Sequence, residues 1–399
     1  MAATVAAPRP DAWATRVAAS DGTVLFQSAG RMCRVNVDGS AFRILPLDAP
    51  RQVSWQPAGF LADGRLLLLS MEPRRDGPGR PFDEYYHRTP THIWAYDAAS
   101  DTLTELATRD REAAFCTPQL VLPDGRLLVQ VIRDRPGRLV SMRLDGSDAR
   151  PFTTDAGLPY GLALRPDGRR VAFHLAGPDG YQIWTSDLDG GDRVRIAADR
   201  QRLYFGPAWS PDGSSLAYEA CLHAADPGHD WADVCVARGD GSAARDVTDG
   251  QAMWFGATYG RPGARGGGSN VPAWSPDGAI LFPERQPGSQ VAWEYQPSRP
   301  DTDHFNRDFK PEAARGGTSI CRIDPDNGGR TPLTPATAGL WDFRVAPSPD
   351  GRWITFCRAA TGDVPALWAA RSDGSDARRL SRGIDDSGVD HPRWWAGST

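Results

Sequence analysis

The sequence predicts an all-β fold, a seven-bladed β-propeller of four-stranded antiparallel blades, and three observations lead there. An Asp-Gly turn followed by a short apolar run recurs seven times. A second Asp-Gly-type turn follows each one after about twenty to fifty residues. Glycine (42) and proline (34) make up nearly a fifth of the 399 residues while 40% are apolar, which suits a globular chain of many tight turns better than one of long helices.

The first turns are Asp21-Gly22, Asp63-Gly64, Asp124-Gly125, Asp167-Gly168, Asp212-Gly213, Asp277-Gly278 and Asp350-Gly351, each leading into runs such as RLLLL or RWITF. The second turns lie in VNVDGSAFRIL, AYDAASDTLTEL, MRLDGSDARPF, SDLDGGDRVRI, VARGDGSAARDV, CRIDPDNGGRTPL and ARSDGSDARRL. Asp-Gly between alternating apolar runs is a hairpin signal, so each unit reads as four antiparallel strands. The first-turn Asp residues are spaced by 42, 61, 43, 45, 65 and 73 residues, so a minimal blade has about 42 and three units carry insertions. Residues 1–399 are expected to form one propeller, with 1–20 as an N-terminal segment and 389–399 as a strand that joins the first blade and closes the ring. Asp390-His391-Pro392-Arg393-Trp394 supports closure, because it matches the innermost-strand wording Gly206-Pro207-Ala208-Trp209 but no blade follows it.

Ala-Trp-Ser-Pro-Asp-Gly at 208–213 and again at 273–278 resembles the repeat of TolB-like propellers. That resemblance covers nearly the whole chain. It implies the fold, with a more distant likeness to cytoplasmic oligogalacturonate lyases and to the propellers of prolyl-oligopeptidase-type enzymes. No serine sits in Gly-x-Ser-x-Gly, so the hydrolase site of the latter group is not expected. Likeness to the lyases would imply a manganese-assisted elimination on a uronate, with His391 in the appropriate innermost-strand context.

Composition narrows the partners. Net charge is −5, and Lys310 is the single lysine among 45 basic residues. A basic stripe for nucleic acid and a Walker-type phosphate loop are both missing, so neither nucleic acid nor a nucleotide cofactor is expected. The longest aliphatic run, Leu66 to Leu69, is too short for a bilayer, and the opening residues lack a signal-like pattern, so the expected location is cytoplasmic and off the membrane. Six cysteines without a Cys-x-x-Cys pair read as free thiols.

Both turns of a blade lie on one face, so insertions collect on the other. The long segments there are 72–91, 219–232, 249–270 and 284–318. Loops of that length in a compact domain are usually functional, here as a lid over the central channel or as a docking surface for a protein partner. Aligning the innermost strands puts Trp55, Gln56, Tyr160 and Tyr204 at the channel mouth. Asn270, Trp341, Asp342, Arg344, Asp390 and His391 continue that ring. Aromatics, amides and both charge signs suit a polar small molecule.

Histidines gather toward the same face, among them His87, His304 and His391. Imidazole serves as a general base or a metal ligand, and a divalent Mn or Ca ion is one expectation for the site, with its ligands left open. Glu219 and Glu284 stand seven residues after their turn Asp and read as equivalent carboxylates that could divide acid and base roles. The expected catalytic set is His391, Arg344, Asp342, Tyr160 and His304. Gln56, Trp55, Tyr204, Asn270, Glu284, Glu219, Asp390, His87 and Trp341 form the expected ligand contacts. The expected function is binding and transformation of a polar, sugar-like or secondary-metabolite molecule by elimination, hydrolysis or cyclisation. The alternative is a non-catalytic interaction scaffold.

Overall fold

The computed structural model describes residues 22–48, 54–71, 91–109, 113–114, 120–132, 138–153, 157–177, 180–199, 201–222, 231–257, 267–291, 293–295, 307–309 and 311–395. Its turns are held by local chemistry. The carboxylates of Asp63, Asp124, Asp167 and Asp350 each accept the backbone N–H two residues on, at 3.0–3.1 Å. Asp38, Asp145, Asp240 and Asp373 do the same in the second turns, at 2.8–2.9 Å. Such Asx turns reverse the chain without long-range help.

Between the turns, strands pack face against face. Leu66, Leu67, Leu68 and Leu69 are at most 3% exposed, as are Leu281 and Phe282, because a second strand is covered on both sides by neighbouring blades. Each such leucine contributes about 1.5–3 kcal/mol on burial. The apolar contacts bridge adjacent sheets: Leu67 and Val129 share one cluster, and Phe205 and Phe282 another.

The molecule is an all-β propeller of antiparallel, mostly four-stranded blades. Three meander sheets run Ser54–Phe60 to Thr102–Arg109, Leu158–Leu164 to Val194–Ala198, and Arg202–Trp209 to Arg245–Asp246. A further sheet centres on Leu127–Ile132, with its innermost place divided between Ala113–Ala114 and Leu120–Val121. In the first sheet Asp390–Trp394 pairs with Thr23–Ser28, Val24 opposite Trp394, so the expected closing strand is in place. Only five sheets stand as separate blades, so the expected count of seven is not confirmed. The remaining strands, from Ala273–Trp274 to Arg378–Ser381, are continuous in one eight-stranded sheet, linked by a single parallel contact of Thr318 with Trp341.

The insertions are partly ordered as strands. Phe255–Ala257 pairs with Gly267–Ser269, and Trp293–Tyr295 with Arg307–Phe309. The segment expected to leave the sheet at 219 instead continues Ser215–Leu222 through Leu222.

Innermost strands follow one another around the axis: Leu158–Leu164 touches Arg202–Trp209, which touches Ala273–Trp274, then Leu340–Pro347, then Asp390–Trp394. Side chains at one register position of the second strands stitch these neighbours together. Gln27 donates to the Trp55 carbonyl at 2.8 Å, Gln130 donates to the Pro159 carbonyl at 2.6 Å, and His174 Nδ1 accepts from Gly206 N at 3.4 Å. Glu219 occupies the same position in the next sheet.

Candidate functional site

The innermost strands carry a bulge where the pairing register slips, between Tyr160 and Ala163, Phe205 and Ala208, and Phe343 and Ala346, and the closing strand slips at the matching place. At the bulge the backbone turns left-handed. Gly161 (φ +66°) and Gly206 (φ +63°) meet that demand without a Cβ. In the other two strands the same position holds Arg344 (φ +56°) and His391 (φ +52°). A left-handed conformation costs an L-residue about 1–2 kcal/mol, so Arg344 and His391 are held here against a conformational penalty.

These strained residues form one cluster. Arg344 Nε donates to Asp390 Oδ1 at 3.1 Å, and Asn270 Oδ1 accepts the Arg344 backbone N–H at 3.0 Å, pinning the bulge from the neighbouring strand. Asp390 Oδ1 also accepts the His391 backbone N–H at 2.8 Å, while its Oδ2 lies 3.1 Å from His391 Nδ1 without the alignment of a hydrogen bond. The Arg344 and Asp390 side chains are 10% and 18% exposed, whereas His391 keeps 37%, making the imidazole the accessible member. Burial alone would raise the Asp390 carboxyl, but Arg344 and His391 outweigh it and hold the group well below the usual carboxylate range. Burial lowers the His391 imidazole and Arg344 adds to that, against the pull of Asp390. A neutral imidazole beside an ionised carboxylate is suited to accept a proton at Nε2.

Arg393 completes the cluster and is the member that the sequence expectation omitted. It opposes Leu25 in the closing strand, and the matching places in four other innermost strands hold Ala163, Ala208, Ala273 and Ala346. An arginine at a position otherwise given to alanine was a readable signal. Its Nη1 donates to the Pro57 carbonyl at 3.3 Å, and burial, reinforced by the charge of Arg344, lowers its affinity for its proton.

Other expected site residues have different surroundings. Asp342, 1% exposed, receives two hydrogen bonds from Arg358 at 2.6 and 2.7 Å and one from Thr334 at 2.5 Å, a closed ion pair. Trp341 lies in the apolar core with its indole N–H on Thr361, Trp55 packs edge-on against Trp94, and Tyr204 against Tyr218. Asn270 serves the cluster through backbone support, its own amide N–H held by the Met253 carbonyl at 2.7 Å. Gln56 lies in Ser54–Phe60 opposite Leu69, and Tyr160 lies in Leu158–Leu164 opposite His174. His87 and His304 lie outside the described residues.

Glu219 and Glu284 are not equivalent. One more residue follows the Asp212 turn than the Asp277 turn before the strand begins, so Leu216 corresponds to Ile280 and Glu219 to Pro283. Glu284 therefore faces Arg330, at 3.1 Å. Glu219 is fully buried, neither carboxyl oxygen has a hydrogen-bond partner among the described residues, and burial pushes its proton affinity well above normal.

Among the described residues no group of three or more His, Cys, Asp or Glu comes together in a way that could hold a metal ion. A cleft of ≈ 310 Å³ opens at the turn end of the eight-stranded sheet, lined by Asp277, Arg322, Asp350 and Trp353. Its charges are already matched, Arg322 with Asp277 at 2.9 Å. Among the described residues Arg393 of the closing strand has no carboxylate within ion-pair distance.

No protein-family model matches the chain. It is 27% identical over 222 residues to the Tol-Pal system protein TolB of Anaeromyxobacter dehalogenans, covering 52% of this chain and 46% of that one. The chain spans less than half the length of the curated relatives it matches. In fold it is similar to a puromycin-hydrolyzing peptidase of Mycobacterium tuberculosis (TM-score 0.58, 13% identity, 92% of this chain and 52% of that one). It is also similar to an oligogalacturonate lyase in complex with manganese (TM-score 0.53, 16% identity, 90% and 83%). By its repeat and its strand plan the chain is a β-propeller that resembles TolB in sequence and those enzymes in fold.

Proposed function

We propose that the protein is a seven-bladed propeller that binds a polar small molecule at the axial mouth and transforms it by acid–base chemistry. The blade count is supported by the single contact of Thr318 with Trp341, which reads as a bridge between two four-stranded blades rather than as one continuous sheet. The observation that carries the function is the placement of His391 and Arg344 in left-handed backbone where other strands use glycine. Strain retained around an accessible neutral imidazole is the signature of a working site rather than of a structural tie.

In this reading Asp390 lies against the Nδ1 side of the imidazole, His391 Nε2 removes a proton from the ligand or, in a hydrolysis, from the attacking water, and Arg344 stabilises the negative charge that develops. Proton removal is the step that elimination, hydrolysis and cyclisation share. Glu219, sealed between blades where burial raises its proton affinity, takes no part in it. Incubation of the full chain and of His391→Gln with a panel of sugar acids, glycosides and polar metabolites, followed by mass spectrometry, tests the reading. A compound consumed by the parent chain and spared by the variant is expected, and equal consumption by both would sink the acid–base role.

A further inference from the structure

We infer that the closing-strand cluster is an anion site, and that the ligand carries a carboxylate or phosphate group held between the guanidinium groups of Arg344 and Arg393. This rests on the reading of the cluster as the ligand site and adds the chemical class that it accepts.

Charge counting leads there. Among the described residues the cluster contains two guanidinium groups and a single carboxylate, Asp390, which is engaged by Arg344. Among the described residues no carboxylate lies within ion-pair distance of Arg393, whose hydrogen bond is to a neutral carbonyl. Several other partly buried arginines differ: Arg358 has Asp342, Arg202 has Asp246 and Arg330 has Glu284, while Arg285, with no carboxylate within ion-pair distance among the described residues, lies over the Trp231 ring at 4.9 Å.

An uncompensated charge is costly to bury, and a ligand oxyanion would remove that cost. Arg344 and Arg393 also repel one another, since the charge of the first lowers the proton affinity of the second. Guanidinium groups offer paired N–H donors that match the two oxygens of a carboxylate or phosphate. Position agrees with charge. The alanines that match Arg393 elsewhere could not reach a ligand, so the propeller has placed its extra cation only in the strand that also bears His391.

The test is thermal unfolding of the full chain in a zwitterionic buffer, with inorganic phosphate or malonate titrated at constant ionic strength. A saturable rise of about 2 °C or more is expected for one of them. A stronger response to phosphate identifies a phosphate-bearing ligand, and a stronger response to malonate a carboxylate. Arg393→Met should abolish the rise, whereas the exposed control Arg150→Gln should keep it. Without added anion, Arg393→Met should unfold at the same temperature as the parent or higher, because removing an unmatched cation relieves the fold. Should that variant fail to fold, Arg393→Lys, which retains charge but lacks the planar fork, should need severalfold more anion for half-saturation.

The inference is overturned if neither anion gives a saturable rise, or if Arg393→Met responds like the parent. His391→Gln separates this from the acid–base reading. If that variant still binds anion and still turns over ligand, the acid–base role fails and the anion site stands. If it loses turnover while no variant senses anion, only the anion site fails.

Discussion

Substitution of Glu219 by glutamine tests how a buried carboxyl group is tolerated between blades. The side chain is fully buried, both oxygens lack partners among the described residues, and burial raises its proton affinity well above the ordinary value of 4.5. Below that pH the proton is bound in both folded and unfolded chains, so the group adds no pH dependence. Above it the unfolded chain releases the proton while the folded chain keeps it, and folding then requires proton uptake. Stability is therefore lost at about 1.4 kcal/mol for every pH unit above 4.5 over which the folded protein holds the proton. Glutamine has nearly the same shape and does not titrate. It adds unsatisfied N–H groups, which shift its stability by a constant of about 1–3 kcal/mol but leave the slope alone. Urea unfolding of both chains, followed by tryptophan fluorescence as the pH is raised from about 5, should show the glutamine variant gaining on the parent at up to that slope, with equal denaturant dependence. Parallel stability curves would mean that Glu219 is ionised in the folded protein, and the argument from burial would be wrong.

Other outcomes follow from the same geometry. His391→Gly should relieve the left-handed backbone and raise stability by about 1 kcal/mol in urea unfolding, while abolishing ligand turnover. Asp342→Ala leaves Arg358 buried without its carboxylate and should cost about 3–5 kcal/mol, a loss that Arg358→Met in the same chain should partly recover. Trp394 packs in the core cluster with its indole N–H on the Ala346 carbonyl, so Trp394→Ala should cost about 3–5 kcal/mol by thermal or urea unfolding. Deleting residues 390–395 exposes the edge of Thr23–Ser28 and should produce concentration-dependent association in light scattering.

What was legible in the sequence was local. An Asp side chain that accepts the N–H two residues on depends on nothing distant, so Asp124, Asp167 and Asp350 marked their turns without knowledge of the fold. The closing strand was legible because its Pro-x-Trp spacing repeats that of Pro207 and Trp209. Side-chain direction was less so. Counting from the turn made Glu219 and Glu284 look alike, but one extra residue before Leu216 moves the register by one and sends the two carboxyl groups to different neighbours. Trp341 looked available at the mouth, whereas the strand Leu340–Pro347 directs it into the core with Phe343. Arg393 was visible only as a departure from alanine at a place defined by the bulge, and the bulge itself shows in the pairing.

The first sheet joins residues from both ends of the chain: Ser28 donates to the carbonyl of Gly388 across 360 positions, and Val24 faces Trp394. A ribosome-bound chain stopped before Asp390 could hold every other sheet and still lack Asp390, His391 and Arg393. Ring closure and assembly of the cluster are thus the same event, and a chain interrupted before Asp390 lacks both.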